Sequence, residues 1–274
     1  MNRYSEEDLK KLKKIEIEIL EEIIRICSKY DIKYFSICGT TLGAVRHNGF
    51  IPWDDDIDIG MLREDYEKFL TISKTELNEK FMLGHLSLNK HCPFVFAKIY
   101  RKGTIFLEKC NKRKRIYHCV YVDIMPFDYL PDETDSREKV LKRQTFWNKL
   151  FALKCYICTY RHNRILNFIV SIFRLLLFIL ILPFNKKKIF TKLEKVLSNN
   201  GVKTNYVATR GYKETVASLE DIFPLKEHVF ENININIPNN YDAILTNLYG
   251  KNYMKIPDEK DRIQHCPIKL FLDV

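Results

Sequence analysis

Apolar residues recur at helical spacing from the start of the chain. Leu9, Leu12, Ile15, Ile19, Ile23 and Cys27 share one face, Ser5 is placed to cap, and Glu6, Glu7 and Asp8 fill the first turn. This pattern predicts an amphipathic helix over residues 5–30. The stretch Lys33-Tyr34-Phe35-Ser36-Ile37-Cys38 then reads as a strand running into a turn at Gly39-Thr40-Thr41-Leu42-Gly43. A short turn or helix through Arg46 and His47 leads to a carboxylate-bearing strand near 56–61. Residues 64–77 have a helical face of Tyr66, Phe69, Leu70 and Leu77, and strands are expected at 94–100 and 119–125. From 135 to 200 the pattern becomes helical, aliphatic and basic. Beyond Tyr206 it is mixed, with a period-two segment at 229–237 and a short helix over 241–249 closed by Gly250.

The chemistry concentrates in Pro52-Trp53-Asp54-Asp55-Asp56-Ile57-Asp58-Ile59-Gly60. In a strand, alternation sends Asp54, Asp56 and Asp58 to one face and Ile57 and Ile59 to the other. Gathered carboxylates call for hard cations, here magnesium or manganese. Asp56 and Asp58 are expected to hold two metals, and Asp123, which interrupts the apolar run Val120-Tyr121-Val122-Asp123-Ile124-Met125, completes the set. Gly39 lets backbone N–H groups approach an anion, Thr40 adds a hydroxyl, and Arg46 and His47 offer charge to a phosphate. An isolated Gly-Thr turn is common, and an Asp-x-Asp can be a calcium loop or a solvated edge. A solvated loop has no need of Ile57 and Ile59 in register or of a third Asp in an apolar strand, so the metal site is preferred.

Composition narrows the class. The chain has 274 residues, 46% hydrophobic and 29% charged, enough for a sizeable core. A net charge of +10 suggests an anionic partner such as a nucleotide, a phospholipid surface or an acidic glycan. Nucleic acid is not expected, since no recognition motif accompanies the charge. The eight cysteines are scattered and no secretory signal precedes them, which suggests reduced thiols in a cytoplasmic protein. Cys155-x-x-Cys158 and the group Cys110, His118 and Cys119 are the minority candidates for zinc or redox chemistry.

The run from Gly39 through Arg46-His47-Asn48-Gly49-Phe50-Ile51-Pro52-Trp53 to Gly60 closely resembles the signature of the LicD family. The resemblance continues at Arg63-Glu64-Asp65-Tyr66, Val122-Asp123-Ile124-Met125-Pro126-Phe127-Asp128, Phe230-Glu231-Asn232, Leu248-Tyr249-Gly250 and 262–265. It implies an α+β fold, a nucleotidyltransferase-like mixed sheet flanked by helices with an inserted aliphatic-basic helical segment. Residues 1–134 would form the catalytic core, 135–200 the insertion and 201–274 the part completing the catalytic domain. The implied activity is metal-dependent transfer of phosphocholine from CDP-choline to a lipid-linked or surface glycan, releasing CMP. Asp54 becomes an accessory carboxylate, and Lys98 and Arg262 join Gly39, Thr40 and Arg46 as candidates for holding the diphosphate. The departure is Cys38, where the pattern more often has Gly or Ser. Runner-up readings are glycerol- or ribitol-phosphate transfer, a non-catalytic membrane-bound binding module, and a nucleotidyltransferase acting on nucleic acid.

Residues 165–184 approach the ~20 apolar residues of a spanning helix, but Asn167 and Arg174 interrupt them. A central Arg costs about 2.5–3.5 kcal/mol on insertion scales. Arg161, Arg164, Lys186, Lys187 and Lys188 flank the stretch on both sides, which favours a helix lying on an anionic membrane surface over a buried core helix or a span. The expected location is the inner face of the cell membrane, as a peripheral or monotopic protein.

Overall fold

Ser5 Oγ accepts the backbone N–H of Asp8, and the first helix, α1 (Glu6–Lys29), follows as its periodicity requires. The computed structural model describes residues 5–112, 114–155, 164–197, 202–209, 215–262, 264–265 and 267–274. After α1 come β1 (Phe35–Ser36), α2 (Cys38–His47), β2 (Asp58–Leu62), α3 (Arg63–Glu76), β3 (Phe81–Gly84), β4 (Ala97–Arg101), β5 (Ile105–Leu107) and β6 (Tyr121–Leu130). Three helices follow, α4 (Thr134–Lys154), α5 (Arg164–Leu180) and α6 (Lys186–Leu197). The chain ends through β7 (Tyr206–Ala208), β8 (Ala217–Ser218), α7 (Leu219–Ile222), β9 (Lys226–Phe230), β10 (Ile233–Ile237), α8 (Tyr241–Tyr249) and β11 (Lys269–Phe271).

The central sheet runs β1-β2-β6-β4-β3, with β7 paired to the far end of β6 and β8 to β7. Only β2 and β6 are parallel among these pairs, so the sheet is mixed and the fold is α+β, nucleotidyltransferase-like as expected. Alternation on β2 and β6 divides the apolar residues between two cores. Ile59, Met61, Val122 and Ile124 join Leu12, Ile19 and Ile23 of α1 and Phe69 of α3. On the other face Met125, Phe127 and Tyr129 meet Phe151 of α4 and Ile189 and Leu193 of α6. Asp58, Gly60 and Asp123 fall on this second face by the same alternation. Gly60 has no room for a larger residue there, since a Cβ would stand 2.8 Å from the rings of Phe127 and Phe35.

Charge ties the helical segment to the sheet. Arg63 donates from Nε and Nη2 to the two oxygens of buried Asp128 at 2.7 and 2.8 Å, and its Nη1 lies 3.4 Å from Glu194 on α6. Lys154 of α4 donates to the carbonyls of Ile181 and Leu182, the negative end of α5.

Three expectations change. The carboxylate strand starts only at Asp58, and Asp54, Asp55 and Asp56 lie in the loop before it. The Gly39-Thr40 turn is the first turn of α2, entered through Cys38 at φ +50. The 229–237 segment is a hairpin, β9 and β10, folded at Glu231 with φ +56. Arg161 and Cys158 lie outside the described residues. The core-helix alternative for α5 does not hold, because Phe173 is 61% and Leu180 69% exposed. Among the described residues no helix is long and apolar enough to cross a membrane.

Candidate active site

Backbone pairing fixes the centre. Asp58 of β2 stands opposite Asp123 of β6, and Asp123 stands opposite Lys98 of β4, so the three form one row across one face of the sheet. Lys98 Nζ reaches Asp123 Oδ1 at 2.6 Å, and its ammonium lies 3.2 Å from the Tyr121 ring centre, with Phe94 and Phe96 at 4.6 and 5.4 Å. Asp123 also donates its N–H to the carbonyl of Ile57, which ties the end of the carboxylate loop to β6. Buried Thr40 works from below, its Oγ1 accepting the N–H of Asp58 at 2.8 Å.

The loop is held by the chain's far end. Asp55 is 2% exposed, and its carboxylate accepts the backbone N–H and the Nδ1–H of His265 at 2.9 and 3.1 Å. Gln264 donates to the carbonyl of Trp53 at 2.7 Å. His265 Nε2 lies 3.9 Å from Asp56. Burial pushes the imidazole down, but the Asp55 hydrogen bond and the charges of Asp56 and Asp55 outweigh it and hold the group up at about 10. Burial raises Asp54 to about 6, helped by Asp55 and Asp58. Burial also raises Asp56, to about 7, against the pull of His265.

Two cavities meet at these carboxylates. One of about 730 Å³ runs over Asp56, Asp58, Asp123 and Lys98, past Phe94, Phe96 and Tyr121, to Phe173, Arg174 and Leu177 of α5. The other, about 690 Å³, is lined by Gly39, Arg46, Trp53, Asp54, Tyr249 and Arg262. Asp56, Asp58 and His265 line both.

The expected residues are distributed accordingly. Asp56, Asp58 and Asp123 converge on the first cavity, and Asp54 faces the second. Gly39 packs against Asp54, for a Cβ there would come within 2.7 Å of its Oδ2. Arg46 lines the second cavity and donates to the carbonyl of Tyr253 at 2.8 Å and to His47 Nε2 at 2.9 Å. His47 lines neither cavity. Arg262 stacks on Trp53, 4.3 Å from its ring centre. The sequence reading missed Asp55 and His265. Asp55 was out of phase with its neighbours in an assumed strand, and His265, 210 positions away, fell within the resemblance at 262–265 with nothing local to tie it to the acidic loop.

The side chains gathered here are mostly carboxylates, the donor type that a hard divalent cation takes, and Asp123 Oδ1 is buried with no well-aligned hydrogen bond beyond its ammonium contact. Among the described residues one trio of ligand-type side chains brings its atoms within 4.8 Å of one another, namely Asp55, Asp56 and His265. No cysteine belongs to it. Cys266, a further thiol, lies outside the described residues.

Residues 31–154 match the family described as LicD/FKTN/FKRP, nucleotidyltransferase domain. The chain is also 26% identical over 260 residues to the lipopolysaccharide cholinephosphotransferase LicD of Haemophilus influenzae, covering 91% of this chain and 92% of that one. The chain is thus similar to the LicD family, through the domain match over 31–154 and at lower identity over nearly its whole length. It is a transferase of phosphate-containing groups. Shorter likenesses join it to uncharacterized proteins of Rickettsia typhi (46% over 55 residues) and Rickettsia prowazekii (48% over 48 residues), each covering 18% of the relative and 20% or 18% of this chain. The match over 31–154 includes Gly39, Thr40, Arg46, His47, Asp54, Asp56, Asp58, Lys98 and Asp123, while Arg262 and His265 come in from the C-terminal segment.

Proposed function

We propose that this enzyme transfers phosphocholine from CDP-choline to a hydroxyl of a cell-surface glycan precursor and releases CMP. The observation that carries the reading is the wall of Asp56 and Asp58 shared by two cavities, one with an aromatic cluster beside Lys98 and the other with two arginines and a tryptophan. A nucleotide diphosphate suits the second cavity, where Arg46, Arg262 and Trp53 offer charge and a stacking face. A cationic head group suits the first, where Phe94, Phe96 and Tyr121 already surround an ammonium. The relative's name adds choline phosphate as cargo and lipopolysaccharide as acceptor in its own case.

Asp56, Asp58 and Asp123, with Asp54 behind them, would hold magnesium or manganese, which when bound neutralises charge on the diphosphate. The acceptor hydroxyl oxygen attacks the phosphorus that carries choline, and the bond from that phosphorus to the CMP oxygen breaks. Asp123, at the row's centre, takes the hydroxyl proton. Lys98 orients Asp123, and Arg46 and Arg262 hold the leaving CMP. Residues 1–134 and 201–274 then make one catalytic unit around the helical insertion, a division supported by β7 pairing with β6 and β11 with β5. The same reading sets the enzyme peripherally on the inner face of the cell membrane.

The test is CMP release from CDP-choline, CDP-glycerol and CDP-ribitol with a lipid-linked glycan present. CDP-choline is expected to lead, and preference for either polyol donor would reassign the cargo. Chelation is expected to stop release and added magnesium or manganese to restore it. Asp58→Asn is expected to lower turnover by about 100-fold or more with an unchanged circular dichroism spectrum. Full turnover in that variant would remove the metal assignment.

A further inference from the structure

Helix α5 is built inside out. Ile172, Phe173, Leu175, Leu176, Ile179 and Leu180 are all exposed, and at 100° per residue they occupy one continuous arc. Arg174, Leu177 and Phe178 fall on the opposite side and are half-buried. A helix packed for water turns its apolar stripe inward and its charges outward. Here the arc facing away from the protein is wholly apolar, and Arg174 lines the cavity that holds Asp56, Asp58 and Asp123. Apolar exposure continues past the helix at Leu182 and Phe184. Exposed Lys187 and Lys188 follow at once, at the start of α6.

We propose that the outward arc of α5 beds in the head-group region of an anionic phospholipid bilayer, and that the adjoining cavity receives its acceptor, the sugar head group of a membrane-held amphiphile, from that surface. A patch of this size and composition marks a contact surface. Its flanking lysines complement anionic lipid, whereas a second copy of this chain would set like charges against each other. An interfacial helix also resolves the Arg174 problem, because its inward turn keeps the guanidinium out of hydrocarbon while a spanning helix would not. The cavity supplies the functional link, since its lining includes both Asp123 and Phe173, a residue on the edge of the arc. The acceptor half of this inference rests on the proposed transfer reaction, while the bilayer half does not.

The experiment floats the full chain with vesicles of phosphatidylcholine alone or mixed with phosphatidylglycerol. The protein is expected to float with the mixed vesicles and to dissociate as salt rises. Leu176→Glu combined with Leu180→Glu, both solvent-facing, is expected to weaken flotation about tenfold or more with an unchanged fold. Lys187→Glu with Lys188→Glu is expected to abolish the preference for anionic vesicles. The apolar-arc variant should release CMP at the wild-type rate with a water-soluble sugar acceptor and about tenfold more slowly with one anchored in vesicles. Wild-type protein that stays in the soluble fraction, or an arc variant that floats like wild type, overturns the bilayer contact. A dimer in sedimentation that the arc variant loses assigns the arc to a second copy and overturns it too. Flotation as expected with no CMP release from any donor leaves the bilayer contact supported and rejects the transfer reading.

Discussion

A methyl group added at Gly39 would stand 2.7 Å from Asp54 Oδ2, and the first turn of α2 leaves the backbone little freedom to yield. Gly39→Ala is therefore expected to push Asp54 out of position and reduce CMP release about tenfold or more, with the denaturation midpoint little changed. Neighbouring Cys38 explains the sequence's departure from the family pattern. Its φ of +50 is the left-handed conformation that glycine enters freely, and a cysteine there bears modest strain. Residue by residue, Asp56, Asp58 and Asp123 were legible because charge in an apolar setting is costly and so has a purpose. Asp55 was not, because its worth comes from a histidine brought in by the fold. Thr40, read as a phosphate donor, also has a use the sequence did not show, its Oγ1 accepting the N–H of Asp58.

Elements were legible where a single period ran long enough. α1 and α3 follow the spacing of their apolar positions, while the 229–237 stretch hid a fold-back because both strands of a hairpin share one period. The carboxylate run was read as strand since alternation fits any Asp-Ile sequence, yet the ladder with β6 begins only at Asp58. Between elements the strongest tie is Arg63 with Asp128. Asp128→Ala leaves a buried guanidinium without its carboxylate, and is expected to cost about 3–5 kcal/mol in denaturant unfolding. Beside it His85, packed between Tyr66 and Phe190, is lowered to about 4 by burial and by the charges of Arg63 and Lys74, against an ordinary 6.5. The unfolded chain takes up this proton first. Stability from this group is complete above pH 6.5 and is lost as pH falls from 6.5 to 4. His85→Gln is expected to flatten that part of the profile, as read from unfolding curves at about pH 5 and about pH 7.

For the whole molecule, the order of the chain and the order of assembly differ. β7 pairs with the end of β6, β10 and Phe230 enter the core of α1, and β11 pairs with β5. A chain cut after residue 197 is expected to be recovered mainly in the insoluble fraction, because the end of β6 is left as an open edge and Phe230, Ile235 and Ile237 are missing from the core. The family signature between Gly39 and Gly60 carried most of the functional reading, and the basic flanks of 165–184 pointed to a surface helix without telling which of its residues would look outward. Periodicity reports that a helix has a face, and only packing tells which way the face looks.

Gln264 and His265 fasten the loop of Trp53 and Asp55 from 211 and 210 positions along the chain. The ladder of β2 with β6 does not depend on that clasp, but the shape of the loop in front of it does. Local release of the clasping segment would therefore slacken the carboxylates while the sheet beneath them stays paired.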